Sequence, residues 1–256
     1  MPRMTGSRFF AEATKAYGLS HVFFMPTILT QAMAEMEDMG IMRVTTHGEK
    51  AAAYMADGYA RASHRPGICL AQNVGAANLA AGLRDAYLAC SPVIAITGGS
   101  DPVMRYRHVY QEVEDFTMFD PVTKFNAQID KVEQLPNLFR QAFRVATTGS
   151  PGPVHLRVRG RHGQVLEEEG DLQLIVDRRF LKVPPFRPEP EPEAVKAALK
   201  MLSSAKKPVI VAGGGVTASQ AAQEVVELAE KLSIPVATSL NAKGTIPENH
   251  PLSVGV

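Results

Sequence analysis

Short, nearly unbroken apolar runs alternate with longer stretches of helical spacing through most of this chain, and that alternation leaves few folds open. Strand-like runs at 21–25, 41–46, 67–71, 92–97 and 153–158 are separated by helix-like segments at 7–17, 30–39, 49–62, 76–89 and 135–147. Gly40 stops one of these helices, and Pro136 sits in the first turn of another, where its missing N–H costs nothing. A half-exposed strand alternates polar with apolar residues, whereas a strand covered on both sides reads as continuous apolar sequence. The expected class is therefore α/β, a parallel sheet with helices on both faces.

The first pattern closes near residue 165, so 1–165 is read as one domain. A stretch with Pro184, Pro185, Pro188, Pro190 and Pro192 interleaved with Arg187, Glu189, Glu191 and Glu193 follows, and 166–192 is read as an extended linker. A second α/β pattern occupies 193–256, with a helix at 193–203, a strand at 208–212, glycines 213 to 215, a helix at 219–232 and a strand at 235–239. Two clear strands are too few for an independent sheet, so this second domain reads as incomplete.

Twenty-seven Lys and Arg against 26 Asp and Glu leave a formal charge of +1, which provides no field for nucleic acid or an anionic membrane surface. No apolar stretch approaches the roughly 20 residues of a membrane span, and a cytoplasmic location is expected. Cys69 and Cys90 each lie in an apolar run and read as buried structural thiols. His21, His64, His108, His155, His162 and His250 are dispersed without metal-ligand spacing and read as surface or loop residues, so no metal site is expected among them.

The segment from Arg43 to Arg61 carries the most chemical information. A strand ends at Thr46 and a helix opens at about Glu49, which puts that carboxylate at the carboxyl edge of a parallel sheet, where α/β folds bind ligands. Position alone is equally the signature of an ordinary acid at a helix N-terminus. The run Ala51-Ala-Ala-Tyr-Met-Ala56 has few solvated positions and suggests that Glu49 is buried, the setting in which a carboxyl group shares a proton near neutral pH.

His47-Gly-Glu-Lys-Ala-Ala-Ala-Tyr-Met-Ala-Asp-Gly-Tyr-Ala-Arg61 resembles the segment that opens the key helix of the pyrimidine-binding domain in thiamine-diphosphate-dependent enzymes of the acetolactate synthase type. Further similarities follow in order. Gly75-Ala-Ala-Asn78 is similar to that family's Gly-Ala-Thr-Asn, and Tyr110-Gln-Glu112 to its Phe-Gln-Glu. Ser91–Gly98, Pro121–Lys124, Thr148–Val154 and Pro247–Leu252 complete a resemblance over nearly the whole chain.

The resemblance implies a thiamine-diphosphate-dependent carboligase or decarboxylase acting on 2-oxo acids. In it Glu49 hydrogen-bonds N1′ of the cofactor's aminopyrimidine ring, and the activated cofactor attacks the substrate carbonyl. Gln111 is implied as a second catalytic residue, donating to a substrate carbonyl or carboxylate; as a residue it also reads as a solvated loop glutamine. Pro26, Thr27, Asn73, Gly75 and Asn78 are implied to face the cofactor together with Glu49, although Asn78 reads equally as a helix cap. Two turns depart from the family. Met25-Pro-Thr-Ile28 stands where a Pro-Gly-Gly turn is usual and Asn73-Val-Gly75 where Gly-Pro-Gly is usual, and their side chains are expected to narrow or re-polarise the substrate pocket.

The family holds the diphosphate through a divalent metal, commonly Mg2+, on a Gly-Asp-Gly motif and a downstream Asn in a carboxyl-terminal domain. Gly170-Asp171-Leu172 is the nearest approach and lacks the second glycine. This chain is therefore expected to lack that domain and to be inactive alone, either as a cofactor-binding fragment or as one chain of a split enzyme. A homo-oligomer or a separate diphosphate-domain chain is the implied partner. Gly213-Gly-Gly-Val-Thr-Ala218 satisfies a dinucleotide fingerprint, but the next strand closes on Ala237-Thr238-Ser239 without the acidic residue that would bind ribose. In the family that turn lies in the middle domain, which in some members carries FAD. The His47-Gly-Glu49 match to zinc deaminases fails because no Pro-Cys-x-x-Cys follows.

Overall fold

The computed structural model describes residues 3–114 and 116–256. The chain divides into two compact units, 1–185 and 186–256.

The first unit runs β1 (Arg3–Thr5), α1 (Gly6–Ala16), β2 (His21–Phe24), α2 (Thr30–Asp38), β3 (Met42–Thr45), α3 (Glu49–Ser63), β4 (Gly67–Ala71), α4 (Ala76–Leu88), β5 (Val93–Gly98), β6 (Asn126–Ile129), α5 (Leu135–Thr147), β7 (Val154–Val158) and β8 (Glu169–Asp171). Six strands form one sheet in the order β3-β2-β4-β5-β7-β6, every neighbouring pair parallel. The expected α/β architecture with helices on both faces is present, and α3, β4 and α4 fall where the sequence pattern puts them to within one residue.

Because side chains alternate across a strand, each central strand feeds two cores. Ile68 and Leu70 of β4, Ile94 and Ile96 of β5 and Leu156 of β7 pack with Phe9 and Phe10 of α1, Met33 and Met36 of α2 and Phe139 and Phe143 of α5. Cys69, Ala71, Val93 and Ala95 face the other way, against the small residues Ala52, Ala53 and Ala56 of α3 and Leu79, Ala80 and Leu83 of α4. Each buried Ile or Leu stabilises the fold by about 1.5–3 kcal/mol relative to exposure, so a one-residue slip of a central strand would exchange these two sets at great cost. The alanines on α3 let it lie close to the sheet. A Cβ at Gly67 would meet the carbonyl oxygen of Ala56 at 2.2 Å, which only glycine avoids.

Three sequence expectations change here. Residues 166–185 belong to the first unit: β8 pairs antiparallel with β1, and Leu166, Leu172 and Phe180 are buried in the core beside α1 and α5. Their apolar side chains outweigh the prolines that suggested a linker, and the exposed stretch begins at Phe186. The helix α3 is buried on one side only. Ala52, Ala53, Ala56 and Ala60 are inside, whereas Tyr54 and Met55 are 44% and 45% exposed. Cys69 is buried, and burial pushes its thiol pKa up. Cys90, expected to be buried as well, is exposed, because it follows the end of α4 in the left-handed region at φ 54°.

The second unit contains α6 (Pro192–Ser204), β9 (Ile210–Ala212), α7 (Gly214–Ser219), α8 (Ala222–Leu232), β10 (Val236–Thr238) and β11 (Ser253–Gly255). Its strands form a parallel sheet in the order β11-β10-β9 around a small core of Ala212, Ala229, Val236, Ala242 and Ile246. The third strand, Ser-Val-Gly, is too short to show a pattern in sequence. No residue of α6 is buried. No helix among the described residues is long and apolar enough to cross a membrane.

Candidate functional site

The carboxyl ends of β3, β2, β4 and β5 lie side by side, and the turns leaving them carry most of the residues singled out from sequence. After β3, Thr46 closes a tight turn, its N–H donating to Phe24 O at 3.0 Å and its hydroxyl to Gly48 O at 2.9 Å. Gly48 then caps α3 in an extended conformation, and Glu49 is the first helical residue. After β4, a 3-10 turn over Asn73–Gly75 leads directly into α4.

These two turns bring Glu49, Gly75 and Asn78 together. Asn78 Nδ2 donates to Glu49 Oε2 at 3.2 Å. The same carboxylate lies over Gly75, where a Cβ would stand 2.4 Å from Oε1. Glu49 is half-buried rather than fully buried, because the exposed side of α3 borders it. Its carboxylate sits at the N-termini of α3 and α4, whose unsatisfied N–H groups stabilise negative charge. Asn78, read as a helix cap or as a cofactor-facing residue, donates to Glu49, and no side chain caps α4.

A second group forms around Asn73, which is fully buried. Its N–H donates to Arg161 O at 3.0 Å and its Nδ2 to Gln111 O at 2.7 Å, leaving Oδ1 buried without a partner among the described residues. Gln111 Oε1 is likewise buried and unpartnered. Asn73, Gln111, Glu112, Arg159 and Arg161 line a cavity of about 260 Å³. Asn73 and Gly75 are two residues apart on one turn, so the two groups are neighbours at the sheet's edge. The cavity lining nonetheless includes neither Glu49 nor Asn78. Pro26 and Thr27 stay exposed on the turn after β2, Thr27 with φ 70°, and do not line the cavity either.

The sequence reading missed a buried polar group built on β7. His155, expected at the surface, is completely buried in β7 and stacks on Phe119 with ring centroids 3.5 Å apart. Asn126 Nδ2 is committed to Phe116 O and Asp120 Oδ1, so its Oδ1 accepts from His155 Nδ1 at 2.7 Å. His155 Nε2 then accepts from the Thr97 hydroxyl at 2.8 Å. Arg157, two residues on and 2% exposed, reaches Glu114, Ser100 and Val113. The polar residues at 155 and 157 within an otherwise apolar strand were the available signal, since period two puts both on one face.

Burial, then the nearby charge of Arg157, holds the His155 pKa well below 6.5. The folded imidazole stays neutral while the unfolded one takes up a proton below about pH 6.5. The unfolded state therefore binds more protons, and stability falls as pH drops through that value. Between pH 6.5 and 5.5 the wild type is expected to lose about 1 kcal/mol more than His155→Gln. Urea unfolding at the two pH values checks this, and equal losses would show that His155 does not carry the pH dependence.

Two family models match the chain. The N-terminal TPP binding domain of thiamine pyrophosphate enzymes covers residues 4–118, and the central domain of the same enzymes covers 195–256. A probable acetolactate synthase large subunit of Methanocaldococcus jannaschii is 38% identical over 99% of this chain and 43% of its own length. The acetolactate synthase isozyme 1 large subunit of Escherichia coli K12 is 33% identical over 99% of this chain and 44% of its own. An X-ray structure from Mycobacterium smegmatis, described as thiamin diphosphate-dependent, superposes with a TM-score of 0.81 at 28% identity, covering 98% of this chain and 48% of that one. The chain thus spans less than half the length of each of these relatives. It belongs to the thiamine pyrophosphate enzyme family, matching that family's N-terminal TPP binding domain and its central domain.

Proposed function

We propose that this chain provides the pyrimidine-binding side of a thiamine-diphosphate-dependent carboligase or decarboxylase acting on 2-oxo acids, in the manner of acetolactate synthase. The observation that carries the reading is the Glu49 carboxylate, held through Oε2 by Asn78 and seated over Gly75, whose missing side chain gives the carboxylate room. That arrangement fits a ring nitrogen: Gly75 and Asn78 fix where the carboxylate lies, and the oxygen that Asn78 does not hold supplies a proton partner.

When bound, thiamine diphosphate supplies the electron sink for breaking and making carbon–carbon bonds beside a carbonyl. Glu49 shares a proton with N1′ of its aminopyrimidine ring, and Asn78 fixes the carboxylate so that one oxygen is committed to that task. Gln111 donates to the carbonyl or carboxylate of the substrate, with Asn73 holding the Gln111 backbone. Asn73 and Gly75 line the cofactor side after β4, and Pro26 and Thr27 do so after β2. The diphosphate and its Mg2+ are held by residues outside these 256, in the same polypeptide or a partner chain, with the active unit a homo-oligomer or a complex with that chain. The glycine turn at Gly213–Gly215 is where an FAD-carrying member would meet flavin, and no step here requires it.

A second reading keeps the cofactor site but stops at binding, with this chain as one part of a split enzyme. It is favoured by Gly170-Asp171-Leu172, the nearest likeness to the metal motif, whose first two residues lie in β8 paired with β1. Pyruvate consumption and calorimetric cofactor binding separate the two. The first reading expects the full-length polypeptide to release carbon dioxide by itself, and the release to stop when thiamine diphosphate or Mg2+ is omitted. The second expects cofactor binding without release until a diphosphate-domain chain is added. Neither binding nor cofactor-dependent release under any of these conditions would refute both.

A further inference from the structure

Between β5 and the 3-10 segment that starts at Phe116, the loop at 99–114 carries Gln111 and forms one wall of the cavity. Tyr106, His108 and Gln111 have φ of 64°, 49° and 64°, in a region that side-chain-bearing residues rarely occupy. Such conformations persist only where surrounding contacts impose them. Apolar packing does not do so here, since Tyr106 is 89% exposed and Tyr110 75%.

The contacts that impose it come from the ends of the neighbouring strands. Asn73 holds Gln111 O, and Arg161 Nη1 donates to Tyr110 O at 3.3 Å. Arg157 grips both ends of the loop at once. Its Nη2 donates to Ser100 Oγ at the start and to Val113 O near the finish, each at 3.2 Å, and its Nη1 donates to Glu114 Oε2 at 3.3 Å. The guanidinium carbon lies 5.9 Å from the Phe116 ring centroid. Room for this side chain depends on Gly99, where a Cβ would stand 2.5 Å from Arg157 Nε. An apolar residue of similar volume would fill the space without the desolvation penalty of a buried cation. What the charge adds is two stronger bonds across the loop's two ends, which Ser100 Oγ also links by its own 3.5 Å bond to Val113 O.

We propose that Arg157 is a positioning residue that clasps the 99–114 loop and so holds Gln111 at the cavity, setting affinity for the small acid substrate and not for the cofactor. The proposal rests on Gln111 being the substrate-side donor. Arg157→Lys and Arg157→Met test it directly. Glu114→Gln tests it without touching the buried residue, in case the buried variants fail to fold. In the active assembly, KM for the 2-oxo acid, cofactor affinity and hydrogen exchange across 99–114 are measured together.

Expected for Arg157→Met is a KM rise of about tenfold or more, the scale of losing a charge-assisted hydrogen bond. Smaller rises are expected for Arg157→Lys and Glu114→Gln. In all three variants cofactor affinity stays within about twofold, near the error of such a measurement, and exchange accelerates in the loop alone. Unchanged loop exchange overturns the clasp. Faster loop exchange with unchanged KM overturns the substrate role of Gln111, and the proposal with it. Parallel loss of cofactor affinity and substrate affinity overturns it too, by reducing Arg157 to an ordinary core residue.

Discussion

In the complete enzyme, Glu49→Gln is expected to slow proton exchange at C2 of the bound cofactor by about 10²–10⁴-fold, the range that a positioned proton-transfer group contributes. The substitution keeps the shape of the side chain. The amide oxygen still accepts from Asn78, and the packing over Gly75 is retained. What disappears is the proton-sharing oxygen, so cofactor affinity and the unfolding midpoint should change little. Exchange monitored by NMR in deuterated buffer, with cofactor affinity measured in parallel, separates a lost proton partner from a lost binding site. An exchange rate equal to the wild type's would remove Glu49 from the mechanism.

Gly75→Ala reaches the same carboxylate from the opposite side and should have a different signature. The new Cβ would be 2.4 Å from Glu49 Oε1 and 2.7 Å from both Cδ and Cγ, closer than atoms approach without one moving. The backbone of Glu49 is fixed as the first residue of α3, so its side chain has to swing away and Asn78 loses its partner. Turnover is expected to fall about 10²-fold or more, because displacement by about 1 Å costs that much in a catalytic arrangement. Unlike Glu49→Gln, this change should also weaken cofactor binding. Gly48→Ala is the control: a Cβ there meets nothing within 4 Å, and its extended backbone suits any residue. Near-normal turnover in Gly75→Ala, or equal damage in Gly48→Ala, would contradict the arrangement.

Much of this site could be read from the chain because its residues are local to the turns that leave β3 and β4. Glu49 follows β3 by a few residues and opens α3, and Gly75 and Asn78 open the next helix, α4, so strand–turn–helix order places them at one edge. The half-burial of Glu49 was not legible, since an alanine-rich helix looks apolar all round until the sheet selects one side of it. Arg157 and His155 escaped for another reason. Their partners Ser100, Glu114 and Asn126 lie 29 to 57 residues away, and no local pattern announces such a pairing. The edge strand β6, Asn-Ala-Gln-Ile, is short and half polar, and the three-residue strands β1 and β8 have too little sequence for any period to show. At 166–185, prolines drew attention from Leu172 and Phe180, whose burial decides where that segment packs.

The most direct test of the Glu49 assignment pairs two deletions: Glu49→Gln in the protein, and replacement of N1′ by carbon in the cofactor. If the carboxylate and the ring nitrogen act through one shared proton, each deletion alone slows C2 exchange by about 10²–10⁴-fold, and both together slow it hardly further. Losses that multiply would show that the two atoms act independently, and the account of this site would be wrong.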